Sequence, residues 1–194
     1  MKSKNLIWKI VLLISIIFLV VSCQYFLKGC IWWDCVPQRP FHVLDWELPV
    51  NLFPKDAYAS PINPTSEGDG EIERGSQVIY WNNDHGFAMY GILRYPTINN
   101  AIRNYAIIAK EENEKKKNFG LDLTQDQVYS SKTSDNFLIV CINQEREGIT
   151  CNTIARYQEY VVRFYSVIDD NMTYSDYENI LTYIDEQISS RLYP

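Results

Sequence analysis

The chain has 194 residues, 46% of them hydrophobic and 22% charged. Its 18 Lys and Arg stand against 24 Asp and Glu, a formal net charge of −6. That length fits one domain, or one domain with appendages. The acidic balance argues against a nucleic-acid partner, because there is no surplus of cations to displace counterions from phosphates. Two histidines leave little for a histidine-based metal centre, and we expect neither metal nor cofactor.

Lys2, Lys4 and Lys9 lead into the apolar run Ile10 to Val21, broken only by Ser15. A positively charged start and an apolar core of that length read as a secretory signal. The run ends in Val20-Val21-Ser22-Cys23. This resembles the lipobox of bacterial lipoproteins, over residues 1–23 only. The resemblance implies that diacylglycerol is attached to the Cys23 thiol, that a signal peptidase cuts before Cys23, and that the new N-terminus is acylated. Only a thiol forms the thioether, and only a small residue such as Ser22 lets the protease reach the bond. Two or three acyl chains, at about 0.8 kcal/mol per buried CH₂, hold a protein on a membrane essentially permanently. The rival reading is an uncleaved anchor. Ile10 to Leu27 is just long enough to span a bilayer, with Gln24 its only strongly polar member. A released secreted form is the third. All three place the bulk of the chain outside the cytoplasm, and the lipid anchor puts it on the extracytoplasmic face of a cell membrane.

Cysteine usage agrees with export. Of five cysteines, the lipobox accounts for Cys23 and leaves Cys30, Cys35, Cys141 and Cys151. Cys30 and Cys35 close a tight loop. Cys141 and Cys151 flank Glu145-Arg146-Glu147-Gly148, a turn signal, so they can face each other across a hairpin. Locality favours the disulfides 30–35 and 141–151, against the alternative of buried reduced thiols. No Cys-x-x-Cys or Cys-x-x-His spacing points to zinc.

Residues 36–75 hold six of the eight prolines and read as a tether. Apolar residues between His42 and Phe53, Trp46 among them, imply that this part lies against the domain or the membrane. We therefore divide the chain into a signal peptide (1–22), a lipidated N-terminus with a Pro-rich tether (23–75), and an extracytoplasmic domain (76–194).

Within the domain, Gln77–Asn82 and Phe87–Tyr95 read as a hairpin around Asn82-Asn83-Asp84-His85-Gly86. A helix follows, capped by Thr97 or Asn99, with Ile98, Ile102, Tyr105 and Ala109 on its apolar face. Its charged end pairs Glu111 with Lys115 and Glu112 with Lys116. A short strand at Val128-Tyr129 and strands over 136–142, 149–157 and 160–168 come next, with Arg156 and Arg163 on a wet face. The last helix opens on a capping box, Thr173 with Asp176. It carries Tyr177, Ile180, Leu181, Ile184 and Ile188 on one face. This order predicts an α+β fold: an antiparallel sheet of about five or six strands, with two helices packed on one face.

The search for chemistry returns little. Asp84 and His85 form a histidine–carboxylate pair in a turn, with no nucleophile assigned to it. Asp169-Asp170-Asn171 starts like a calcium loop. The match fails at Tyr174, where the turn glycine belongs, and at Ile180, where the bidentate Glu belongs. No nucleophile elbow, phosphate loop or zinc-protease motif occurs. Trp32 and Trp33 suit the headgroup layer of a membrane. The expectation is a lipid-anchored, extracytoplasmic cell-envelope protein, more a binding or interaction module than an enzyme. Its partners are the membrane, through Cys23, and an unknown protein or envelope ligand. The alternatives are an envelope hydrolase centred on Asp84 and His85, and a subunit of a membrane complex or a single-pass anchored protein.

Overall fold

The computed structural model describes residues 2–65, 68, 70–83, 85–119, 129–144 and 148–193, without the side chains of residues 2–6, 119 and 144. Val128, Asp84, Glu67, Asp69 and the turn Glu145-Arg146-Glu147 lie outside the described residues.

The N-terminus is one helix, α1 (Lys2–Lys28). Its 22-residue stretch Ile7–Lys28 is long and apolar enough to cross a membrane, and none of it is buried against the rest of the chain. At 1.5 Å per residue that stretch covers about 33 Å, against about 30 Å of bilayer hydrocarbon. Gly29 ends the helix at φ 68°, a left-handed backbone that suits glycine.

Seven strands form a single antiparallel sheet: β1 (Tyr58–Ala59), β2 (Asn63–Pro64), β3 (Glu73–Trp81), β4 (Gly86–Arg94), β5 (Asn136–Gln144), β6 (Gly148–Tyr157) and β7 (Tyr160–Ile168). The order is β1-β3-β4-β7-β6-β5, with β2 also on the outer side of β3. Two helices accompany it, α2 (Ile98–Phe119) and α3 (Tyr174–Leu192). The fold is α+β, as the strand and helix order implies. The β3–β4 turn places Asn82 and Asn83 at φ 52°, which asparagine tolerates better than most residues. The strand pair starts tightly: a Cβ at Gly86 would fall 2.0 Å from Trp81 Nε1. Only glycine lets the indole of Trp81 lie across the end of the sheet.

Three expectations fail. The helices lie on opposite faces of the sheet, not on one. Through Tyr177, Ile180, Leu181, Ile184 and Ile188, α3 covers the face that carries Ile79, Trp81, Tyr90, Val162 and Phe164. On the other face α2 lies over Leu93, Leu138, Ile154 and Val161, using Ala101, Tyr105 and Ile108. The reason is visible in the strands. Residues of both parities are apolar in β6 and β7: Ala155 and Ile154, Val162 and Val161. A strand buried on both sides needs a cover on each. Arg156 is accordingly buried, not wet; it donates to Asn136 Oδ1 at 2.8 Å and pairs with Asp135 at 2.9 Å. Ile98 and Ile102, expected on the buried stripe of the helix, are exposed.

The Pro-rich stretch packs onto the α3 face. Val43, Trp46, Leu48, Phe53 and Ile62 join the main core, and Trp46 is 0% exposed. Gln77, fully buried in β3, holds this stretch in place. It accepts from Leu48 N at 2.9 Å and donates to Leu48 O at 3.1 Å. The two-residue strands β1 and β2 continue the sheet edge from the same segment. Thr173 caps α3: its hydroxyl accepts from Asp176 N, and Asp176 Oδ2 accepts from Thr173 N at 2.9 Å.

Candidate functional site

Because α2 sits over β5, β6 and one end of β7, part of that face has no cover among the described residues. Met89, Gly91, Arg163 and Tyr165 floor the uncovered part, with Ser76 beside them. The flank of α2, at Asn104, Ile107 and Glu111, walls it. Two adjoining grooves result, of about 500 Å³ and about 310 Å³, and Met89, Arg163 and Tyr165 line both. Opposite Arg163 in the register is Gly91, which adds no side chain to the floor. Among the described residues Arg163 makes no ion pair, whereas nearby Glu112 is held by Lys115 at 2.7 Å. An unpaired guanidinium on an apolar floor can take a carboxylate or phosphate in a two-bond grip, with an apolar body lying over Met89 and Tyr165.

A second cluster fastens the chain leaving α1 to the domain. Glu159, in the β6–β7 turn, receives Arg39 Nε at 2.8 Å and Arg39 Nη2 at 2.9 Å. Gln158, at φ 51° in the same turn, accepts from Arg39 at 2.6 Å. Hydrogen bonding to Glu159 is the largest cause raising Arg39 above its ordinary value. Arg94 pairs with Glu73 at 2.6 Å, lies 3.7 Å from Glu159, and donates to Pro37 O at 2.7 Å. Each charge has a partner, so the cluster reads as a clamp and not as a reactive centre.

The disulfides Cys30–Cys35 and Cys141–Cys151 are both present. Cys141 and Cys151 are register partners in β5 and β6, across the hairpin. Cys30, Asp34 and Cys35 bring donor atoms within 4.8 Å of one another, but both sulfurs are spent in the disulfide. Cys23 lies on α1 with its thiol free and exposed. His85 is exposed in the β3–β4 turn; its backbone N–H donates to Asn82 O at 3.2 Å. Among the described residues its imidazole has no hydrogen-bond partner, and it lines neither groove. Asp169 is occupied at home: its Oδ1 accepts from Asn171 N at 2.7 Å and from Met172 N at 2.8 Å.

Sequence reasoning misses three groups. Arg163 is read there as a wet strand residue, and nothing marks it as unpaired. Arg39 sits between Pro37 and Pro40, where it looks like tether. Asp185 is the third. It is buried on α3, one turn beyond Leu181, and accepts from Tyr129 and Ser131 hydroxyls at 2.8 Å each and from the Tyr157 hydroxyl. A carboxylate in the apolar stripe of the helix was its available signal. Burial, with Asp185 beside it, pushes Tyr157 well above its ordinary value.

Compared with protein-family models, curated proteins and solved structures, the chain matches none.

Proposed function

We propose that this is a membrane-anchored, extracytoplasmic binding module that takes an anionic partner on the unroofed part of its sheet. One observation carries the membrane part of this reading: the 22-residue apolar stretch of α1 buries nothing against the domain. A helix that is apolar all round and unpacked needs a non-aqueous surrounding. The lipobox at Val20–Cys23 favours acylation of Cys23. With residues 1–22 removed, 15 basic residues would stand against 24 acidic ones, a net charge of −9. The cysteine pairing fits an oxidising compartment. Arg163, without an ion pair among the described residues, supports the binding part, because its cation offers an anion a favourable contact on an otherwise acidic domain.

Intact-mass measurement of protein purified from membranes tests the anchor. An N-terminal Cys23 carrying acyl chains supports lipidation, and an uncut chain in the membrane fraction supports the helical anchor. An unmodified protein in the soluble fraction overturns both. A photoreactive amino acid at Met89, activated in intact cells, tests the groove. We expect an adduct that Arg163→Glu abolishes and Arg103→Glu, exposed on α2, leaves in place. No adduct, or one indifferent to Arg163, overturns the groove assignment.

A further inference from the structure

The chain leaving α1 does not lead away from the end of that helix. Gly29 touches the domain at once: a Cβ there would lie 3.1 Å from Pro96 Cγ. Asp34 Oδ1 accepts from Ile31 N at 2.6 Å, and the Cys30–Cys35 disulfide brings those two Cα atoms to 5.1 Å. The seven residues from Gly29 to Cys35 therefore fold back on themselves and gain almost no distance. Val36 N then donates to Pro96 O at 3.0 Å. Pro96, in the link between β4 and α2, is thus pinned to the end of α1 from both sides of the loop. Arg39 and Glu159 fix the next turn of chain to the same end of the domain.

This end exposes large apolar side chains among its polar ones. Trp32 and Trp33 are 66% and 77% exposed, and Ile98 and Ile102, at the start of α2, are 46% and 44% exposed. Trp33 and Ile98 line one shallow groove with Pro37 and Asn99. The two isoleucines are one helical turn apart. Trp32 and Trp33 follow within a few residues of the end of α1, and Ile98 shares a groove with Trp33; such exposed apolar side chains have water as their alternative to lipid. Indole rings favour the headgroup layer, where an apolar body meets a wet rim.

We propose that Trp32, Trp33, Ile98 and Ile102 form a foot that lies in the headgroup layer of the bilayer holding the N-terminal anchor, so that the domain is docked on the membrane instead of hanging from it. This inference rests on the membrane reading of α1. It holds for either anchor: cleavage before Cys23 leaves only the short helical stub to Lys28, with Tyr25, Phe26 and Leu27, between lipid and foot.

The test uses full-length protein purified from membranes and reconstituted into phosphatidylcholine vesicles, with ordinary or brominated acyl chains. A Trp8→Phe background removes the tryptophan inside α1. Brominated lipid should then quench about half the remaining emission, from two of four tryptophans at the interface. Trp32→Phe with Trp33→Phe should abolish the quenching, since Trp46 and Trp81 are enclosed in the core. Ile98→Glu with Ile102→Glu, at exposed positions, should reduce it at least several-fold while leaving Trp46 and Trp81 emission native. Protein that floats with vesicles but shows no quenching overturns the foot and leaves the anchor standing. Quenching that ignores the isoleucine changes removes α2 from the foot. Protein that does not float with vesicles overturns the membrane reading itself.

Discussion

Arg39 and Glu159, 120 positions apart, meet in a two-bond ion pair whose carboxylate is 1% exposed. The pair joins the segment leaving α1 to the β6–β7 turn, and Arg94 approaches the same carboxylate from β4. The turn also holds the residue just after β4, since Glu159 O accepts from Tyr95 N at 2.9 Å.

Glu159→Ala takes the carboxylate from Arg39 at a largely buried site, while Arg94 keeps Glu73. It should cost about 3–5 kcal/mol, because removing one partner of a buried pair leaves the other charge uncompensated. Glu159→Gln should cost less, since it keeps an acceptor. Urea unfolding of the detergent-solubilised chain, followed by tryptophan emission, ranks the three proteins; equal midpoints would show that the pair contributes nothing.

Thiol counting separates the anchors and checks the bridges. Denatured but unreduced, the uncut chain should alkylate once, at Cys23, and the acylated form not at all. Reduction should expose four more thiols in either. In the folded protein the Cys30–Cys35 bridge should open first, because Cys35 is half-buried whereas Cys141 and Cys151 are both buried in the main core.

Asp185 ties α3 to the segment at Tyr129 and Ser131. Asp185→Ala leaves three hydroxyls without their acceptor and should destabilise the fold by about 3 kcal/mol. It should also raise hydrogen exchange across residues 129–134, where Ser131 Oγ accepts from Ser134 N at 2.9 Å. Exchange unchanged there would mean that the segment is held by other contacts.

The tyrosines predict a specific alkaline weakness. Burial raises Tyr90 and Tyr177 far above their ordinary value of 10.0, and pushes Tyr193 up to about 12. Above pH 10 the unfolded chain gives up phenolic protons that the folded chain retains. The folded state then binds more protons, so stability falls as pH rises and is complete only below pH 10. Each of Tyr90 and Tyr177 should withdraw up to about 1.4 kcal/mol per pH unit above that point. Tyrosinate absorbance should therefore rise in step with unfolding; early ionisation of all fourteen tyrosines in a folded protein would contradict this.

Local patterns were the legible part of the fold. The strand 160–168 keeps its limits, and the Thr173–Asp176 box and the stripe from Tyr177 to Ile188 appear as read. Each depends on neighbours within a turn or two. What the pattern lacks is the third dimension. Periodicity gives α2 an apolar side but not the face of the sheet it meets, and Ile98 and Ile102 fall outside the contact. Arg39 and Trp46 take their meaning from β4, β6 and β7, which no local window contains. The open part of the sheet is legible only once it is known where α2 stops covering it.

The bridge between Cys141 and Cys151 closes the β5–β6 hairpin just inside its tip, between positions 144 and 148. A protease that nicks the backbone there releases no fragment. The two halves stay joined through sulfur, and the seven-stranded sheet keeps both edges of the cut in register. Such a scar would be invisible on a non-reducing gel and would emerge as two bands only after reductant is added.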